Sequence, residues 1–339
     1  MTKIVTELNK EIKEEIENDN LVIFPTETVY GIGANALSVN AVNKIFEVKT
    51  RAKNNPLIVH LKDKNEIGKY AYISNSIEQK LIDSFMPGPF TIILKKKSII
   101  PNVVTANMDS VGIRIPIDEM AHKFLSLVNV PIAAPSANIS GKPSGTKVLD
   151  IKDEFDGLVN IIIDHGESTI GLESTVVKVI DGVPTILRPG FITKEDIISL
   201  IGTCNIAPGV LEKLNNNEKV ESPGMLYRHY APKTNCILVY NENIPVLKEI
   251  IKRNMFDKTI IIGSNKLKDI PCYKFINYGE TLPEISHNIF SLLRLADTYQ
   301  GNLIIIEGVK KEGLGLAIMN RLIRSCNHNY IYKESEVNE

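Results

Sequence analysis

Six short runs of this chain gather side chains that can hold an oxygen-rich anion. "PTETVY" packs Thr26, Glu27, Thr28 and Tyr30 behind a strand-like stretch. "KTRAKNNPLIVHL" places Lys49, Arg51 and Lys53 ahead of Asn54, Asn55 and a second apolar run that ends near His60. "SVGIRIP" sets Arg114 among apolar neighbours, with Ser110 at its start. "APSANISGKPSG" loads a loop with Ser136, Asn138, Ser140, Ser144 and Thr146. "GLESTVV" feeds Glu173, Ser174 and Thr175 into a strand, and "TILRPG" leaves Arg188 between an apolar run and a turn. Each run taken alone has a bland reading. A cluster of cations is by default a solvated face, a lone His is more often a core or surface residue than a catalyst, and Ser and Asn are ordinary in loops. For Arg114 two readings stand level: it faces solvent, or it serves a carboxylate or phosphate.

Together the runs share one design, in which strands begin or end in hydroxyls, amides or a guanidinium and lone acids are few. That set suits a nucleotide with an amino acid. It does not suit hydrolysis by paired carboxylates or a Ser-His-Asp nucleophile, and "GESTIG" lacks the elbow spacing. No GxxxxGK[ST] loop is present, and "SGKPSG" has the wrong spacing for one. "GIG" and "GLGLA" read as structural turns. Ser136 and Asn138 follow directly on a strand, the place where α/β proteins usually bind ligands. No HExxH or clustered His and Cys points to a metal held by the protein.

The elements that must position these groups are strand-sized apolar runs: "LVIFP", "PLIVHL", "FTIILKK", "VGIRIP", "PIAAPSA", "NIIID" and "STVVKVI". Helical patterns intervene at "ELNKEIKEEIE", "SVNAVNKIFEVKTR" and "SIEQKLIDSF", so the class is α/β. After Gly190 the composition shifts, and a Pro-, Gly- and Asn-rich stretch reads as a linker carrying the cluster Met225 to Tyr230. A second, smaller α/β pattern follows and has the look of a Rossmann-like parallel sheet. The expected organisation is a domain over residues 1–204, a linker over 205–234 and a second domain over 235–335.

A chain of 339 residues, 43% hydrophobic, is long enough for two cores. Its net charge of -1 gives no global field for nucleic acid or an anionic membrane. Four scattered cysteines without CxxC spacing read as reduced thiols. The charged N-terminal stretch has no signal-peptide core, and no run reaches the length of a membrane span, so the expected location is cytoplasmic.

In their order, "PTETVYGIG", "KTRAKNNPLIVH", "MPGPFTIIL", "SVGIRIP", "PSANISGKPS" and "GLESTVV…ILRPG" resemble the YrdC-like family. "SPGMLYRHYAP" and "GLGLAIMNRL" resemble its longer, two-domain members. The resemblance covers nearly the whole chain, and six ordered motifs are far more specific than any one alone. Met86 stands where Trp is common and His165 where Gly is frequent; both read as packing or loop changes. The resemblance implies a YrdC-like twisted mixed sheet with helices, followed by the smaller domain. It implies an enzyme that combines L-threonine, bicarbonate and ATP, with Mg2+ on the phosphates, into L-threonylcarbamoyl-adenylate and pyrophosphate. A separate transferase would then carry the group to tRNA, and a contact with tRNA itself stays open. By resemblance, Lys49, Arg51, Asn55, Ser110, Asn138, Ser144, Arg188 and Tyr230 would meet ATP. Thr28, His60, Arg114, Ser136 and Ser174 would meet threonine and its carbamate. No side chain is assigned as a covalent catalyst; Lys49 and Arg51 would stabilise charge, and Tyr227 to Tyr230 would form a lid. The rival readings are a non-catalytic RNA-binding module and a different carbamoyl transferase.

Overall fold

The computed structural model describes residues 1–210 and 230–333. They divide into two compact units: Met1–Ser140 with Ser144–Tyr227, and Gly141–Pro143 with Arg228–Glu339.

The first unit opens with β1 (Lys3–Val5), α1 (Lys10–Glu17), β2 (Val22–Phe24), β3 (Gly31–Asn35), α2 (Val39–Val48), β4 (Ile58–His60), α3 (Ile67–Tyr70), β5 (Ala71–Tyr72) and α4 (Ser76–Phe85). It continues through β6 (Phe90–Lys96), β7 (Ser110–Arg114), α5 (Glu119–Val128), β8 (Ile132–Ala133), α6 (Val148–Phe155), β9 (Ile161–Ile163), β10 (Thr175–Ile180), β11 (Val183–Arg188), α7 (Lys194–Ile201) and β12 (Asn205–Ile206). The strands form one twelve-stranded mixed sheet, ordered β1-β9-β2-β3-β8-β4-β7-β6-β10-β11-β12 with β5 beside β6. The helices start where the sequence supplies caps. Ser38 accepts from the Ala41 amide ahead of α2, and Ala41, Val42, Ile45 and Phe46 bury its apolar stripe.

Strand register sorts the side chains into two faces, because successive residues point to opposite sides. One ladder runs Ala133, Val59, Ile113, Ile92, Val177 and Ile186 across six strands. All six belong to the largest apolar core. The opposite face carries a second cluster under α1 and α5, built on Ile12, Ile16, Phe24, Phe124 and Ile132.

Two sequence expectations change here. "GIG" is no turn: Gly31 and Gly33 lie in β3, paired with β2. The glycines are needed for close packing, since a Cβ on Gly33 would sit 2.8 Å from Ile132 Cγ2 and 2.9 Å from Phe24 Cε1. Asn205 and Ile206, read as linker, form β12 against β11.

The second unit holds β13 (Cys236–Asn241), α8 (Ile244–Arg253), β14 (Thr259–Gly263), β15 (Lys274–Asn277), α9 (Leu282–Thr298), β16 (Leu303–Glu307), α10 (Leu314–Ser325) and β17 (Tyr330–Lys333). Its five strands are all parallel, in the order β15-β14-β16-β13-β17. Near-continuous Ile runs in β14 and β16 are what a sheet covered on both faces requires. Glu307, at the end of β16, is buried and accepts from the Ser264 amide at 2.6 Å, which ties two strand ends together.

Candidate active site

The face opposite the main core of the first unit carries His60, Ser110, Arg114 and Arg188 of the candidate residues. One rung of paired residues runs His60, Arg114, Thr91, Val176 and Arg188 across β4, β7, β6, β10 and β11. The neighbouring rung runs Ile58, Gly112 and Ile93. Period-two alternation puts Ser110, Gly112 and Arg114 on this one face of β7. Gly112 keeps the middle low, since a Cβ there would press on Ile93, Thr91 and Ile58 at 3.2 to 3.4 Å. Ser110 lines a hollow with Pro56, Ile58, Ile93, Thr105 and Met108.

The groups lie at strand ends, as expected: His60 closes β4, Ser110 opens β7, Arg114 closes β7 and Arg188 closes β11. Because the sheet is mixed, their register also places them on one face. A register shift between Val176 and Val177 helps, since a bulge re-aims side chains. It lets Leu187 pack with Ile58, Ile93 and Val176 while Arg188 reaches Ser174.

Arg114 is the best-defined charge. Its Nη2 donates to Glu27 Oε1 at 2.7 Å, and the two side chains are only 5% and 6% exposed. The Glu27 main chain is held in turn by the Ile170 amide at 2.8 Å and the Thr169 hydroxyl. His60 lies beside Arg114 with its ring edge-on to Phe24, where the apolar cover of α1 and α5 ends. Burial above all, and then the Arg114 cation, lower its pKa to about 3, so the imidazole is neutral at pH 7.

Ser174, just ahead of β10, exchanges a 2.7 Å hydrogen bond with Thr91, and Arg188 donates to its carbonyl through Nε and Nη2 at 3.1 and 3.0 Å. Thr28 is fully buried, 2.8 Å from the Thr26 hydroxyl. Ser136 bridges to Gly31 at the start of β3 and donates to Asn138 Oδ1 at 2.6 Å. Lys49, at the end of α2, is buried, and its ammonium donates to the Ser136 carbonyl at 2.5 Å and to that of Asn138. It therefore ties the 136–138 loop to α2. Arg51 closes its own turn, donating to the carbonyls of Asn55 and Pro56, and Asn55 is buried in that turn. Ser144 donates to Glu173 Oε1 at 2.7 Å.

Tyr230 belongs to the second unit. It is buried, its ring stacks on Phe290 with centroids 5.1 Å apart, and the Arg321 guanidinium carbon lies 5.8 Å from its centroid. Tyr227, Arg228 and His229, the rest of the lid cluster, lie outside the described residues.

Thr91 and Glu173 are not among the site residues that the sequence predicts, although each hydrogen-bonds one that is, Ser174 and Ser144. Counting by twos along "FTIIL" would have marked Thr91 as facing away from the core residue Ile92. Met86 packs in the main core and His165 is exposed in its loop, as their types allow.

A family model described as "Telomere recombination" matches residues 14–190, and one described as "Threonylcarbamoyl-AMP synthase, C-terminal domain" matches residues 192–326. The threonylcarbamoyl-AMP synthase of Pyrococcus abyssi is 41% identical over 321 residues, which span 93% of each chain. The chain belongs to the threonylcarbamoyl-AMP synthase family. The Bacillus subtilis threonylcarbamoyl-AMP synthase is 36% identical, over 93% of this chain and 92% of its own. A crystal structure of P. abyssi Sua5 complexed with L-threonine superposes with a TM-score of 0.90 at 39% identity, covering 99% of this chain and all of the other. The ordered motifs had identified this family, and the mixed sheet with its smaller parallel domain is the architecture they implied. No helix among the described residues is long and apolar enough to cross a membrane.

Proposed function

We propose that this chain makes L-threonylcarbamoyl-adenylate from L-threonine, bicarbonate and MgATP, releasing pyrophosphate. The threonine amine, freed of its ammonium proton, adds to CO2 and releases a second proton, or displaces water from bicarbonate, to give a carbamate. A carbamate oxygen then forms a bond to the α-phosphorus of ATP as the bond to pyrophosphate breaks. No covalent enzyme intermediate is needed, so positioning and charge stabilisation carry the chemistry.

The observation that carries this reading is the rung of His60, Arg114 and Thr91, with Ser174 bonded to Thr91. It offers a buried guanidinium for the threonine carboxylate, flanked by neutral donors and acceptors. Thr28 and Ser136 complete the amino-acid side. On the nucleotide side, Ser110, Arg51, Asn55, Asn138, Ser144 and Arg188 supply polar groups for ATP. Lys49 acts chiefly by shaping the loop that bears Ser136 and Asn138. The donors of this face are hydroxyls, amides and guanidinium groups, which fits a Mg2+ that arrives with ATP and is held by phosphate oxygens and water.

The product would pass to a transferase that modifies tRNA, and the reaction would take place in the cytoplasm. The decisive experiment measures pyrophosphate release. It should require both L-threonine and bicarbonate, and Arg114→Ala should abolish it while ATP binding persists. Release without threonine would refute the reading, as would an Arg114→Ala variant with unchanged threonine affinity.

A further inference from the structure

The Glu27–Arg114 pair is incomplete in a way that matches a substrate. An arginine facing a carboxylate commonly closes two parallel hydrogen bonds. Here Nη2 reaches Oε1 at 2.7 Å, while Arg114 Nε and Glu27 Oε2 are both buried and both lack a partner. Buried polar groups are nearly always satisfied, so two orphans in one ion pair call for an explanation. One is a donor with positive charge behind it; the other is an acceptor with negative charge behind it. An α-amino acid zwitterion supplies the complement of both on adjacent atoms. His60 stands next to Arg114 and is neutral, so it adds no second cation to oppose an ammonium group. Glu27 is also unable to drift, because the Thr169 hydroxyl and the Ile170 amide hold its carbonyl.

We propose that Glu27 determines specificity for the amino end of the substrate: its Oε2 accepts from the α-ammonium group of L-threonine while Arg114 Nε donates to the α-carboxylate. This rests on the placement of threonine at Arg114 given above. Glu27 then does two things with one carboxylate. Oε1 holds the guanidinium in place and Oε2 reads the nitrogen that will become the carbamate. A hydroxy acid of the same shape, lacking that nitrogen, leaves Oε2 buried and unpaired and is rejected.

Calorimetric titration of the full chain with L-threonine and with its amine-free analogue 3-hydroxybutyrate tests this. Glu27→Gln keeps an oxygen for Arg114 but turns the second position into a donor that opposes an ammonium group. Loss of a hydrogen bond to a charged group should weaken threonine about 10- to 100-fold. The analogue should change by less than about twofold, and Glu27→Asp should recover part of the preference for threonine. Equal weakening of both ligands in Glu27→Gln overturns the proposal, because Glu27 would then act through Arg114 alone. Unchanged threonine binding overturns it as well. The unmodified protein gives a readout that does not depend on a variant folding: 3-hydroxybutyrate binding as tightly as threonine refutes the assignment. Arg114→Lys separates the two levels. Weakening of both acids upholds the placement of threonine, so a failure of Glu27→Gln then falls on Glu27 alone. If Arg114→Lys leaves both acids unchanged, the placement itself fails and this inference fails with it.

Discussion

Replacing Arg114 by Met removes one partner of a buried ion pair and keeps most of the side-chain volume. Both side chains are almost fully covered, and the bond between them is 2.7 Å long. Solvent screening therefore does little for the carboxylate left behind. Stranding a buried charge in this way costs about 3–5 kcal/mol. With an m-value of about 2.5 kcal/mol/M in urea, the midpoint for the first unit should fall by roughly 1.2–2 M. The double variant Arg114→Met/Glu27→Leu removes the second charge too. It should recover to within about 1 kcal/mol of the unmodified protein, since an apolar pair of similar volume is often as stable as the ion pair it replaces.

The measurement is urea unfolding of all three proteins at pH 8, followed by a probe in the first unit. Pyrophosphate release should be lost in both variants, including the stable double one, which separates the structural role of the pair from its role with substrate. A cost under about 1 kcal/mol for Arg114→Met, or a double variant no more stable than the single, would show that the pair is not the buried, mutually dependent unit drawn here.

Two further outcomes follow from the same face. His60 has a pKa of about 3 in the fold against 6.5 unfolded, so the unfolded chain binds more protons between those values and stability rises with pH. Its contribution is complete above pH 6.5 and is lost as the pH falls towards 3; from pH 7 to pH 5 the loss is about 2 kcal/mol. His60→Gln should flatten that slope in parallel urea titrations, and an unchanged slope would show that His60 is not the group responsible. Gly33→Ala drives a methyl to within 2.8 Å of Ile132 and 2.9 Å of Phe24, and overpacking of this kind costs about 1–3 kcal/mol. Combining it with Phe24→Leu should reduce the penalty, whereas a penalty that stays constant would place the strain elsewhere.

The strand runs, the helices at "SVNAVNKIFEVKTR" and "SIEQKLIDSF", and the candidate groups of the face were legible from patterning and motif order. The pairings were not. Glu27 stands out within "PTETVY", but nothing near it in the chain indicates Arg114, which is 87 positions away. Lys49 reads as a phosphate cation because ammonium groups usually are exposed; only the fold brings the Ser136 and Asn138 carbonyls to its side chain. "GIG" misled for a related reason. Glycine signals a turn when seen locally, and the bulk that demands it here belongs to Phe24 and to Ile132, about a hundred residues on.

The mixed sheet explains why motifs scattered from Thr28 to Arg188 converge. In an all-parallel sheet, loops at one end gather the ligand groups, and a motif lies where a strand stops. Here β6 runs antiparallel to β7 and parallel to β10, while β4 runs parallel to β7. One rung can then draw Arg114 from the end of one strand and Thr91 from near the start of its neighbour. Parity does the rest, since each polar residue alternates with one that belongs to the apolar ladder behind it. An insertion of one residue within β7 ahead of Arg114 would turn the guanidinium into the main core and bring an apolar side chain to the ligand face. A cation among Val59, Ile92 and Val177 would be intolerable. Function and stability thus constrain the same register: the alternation that keeps the core dry also lines up the substrate groups.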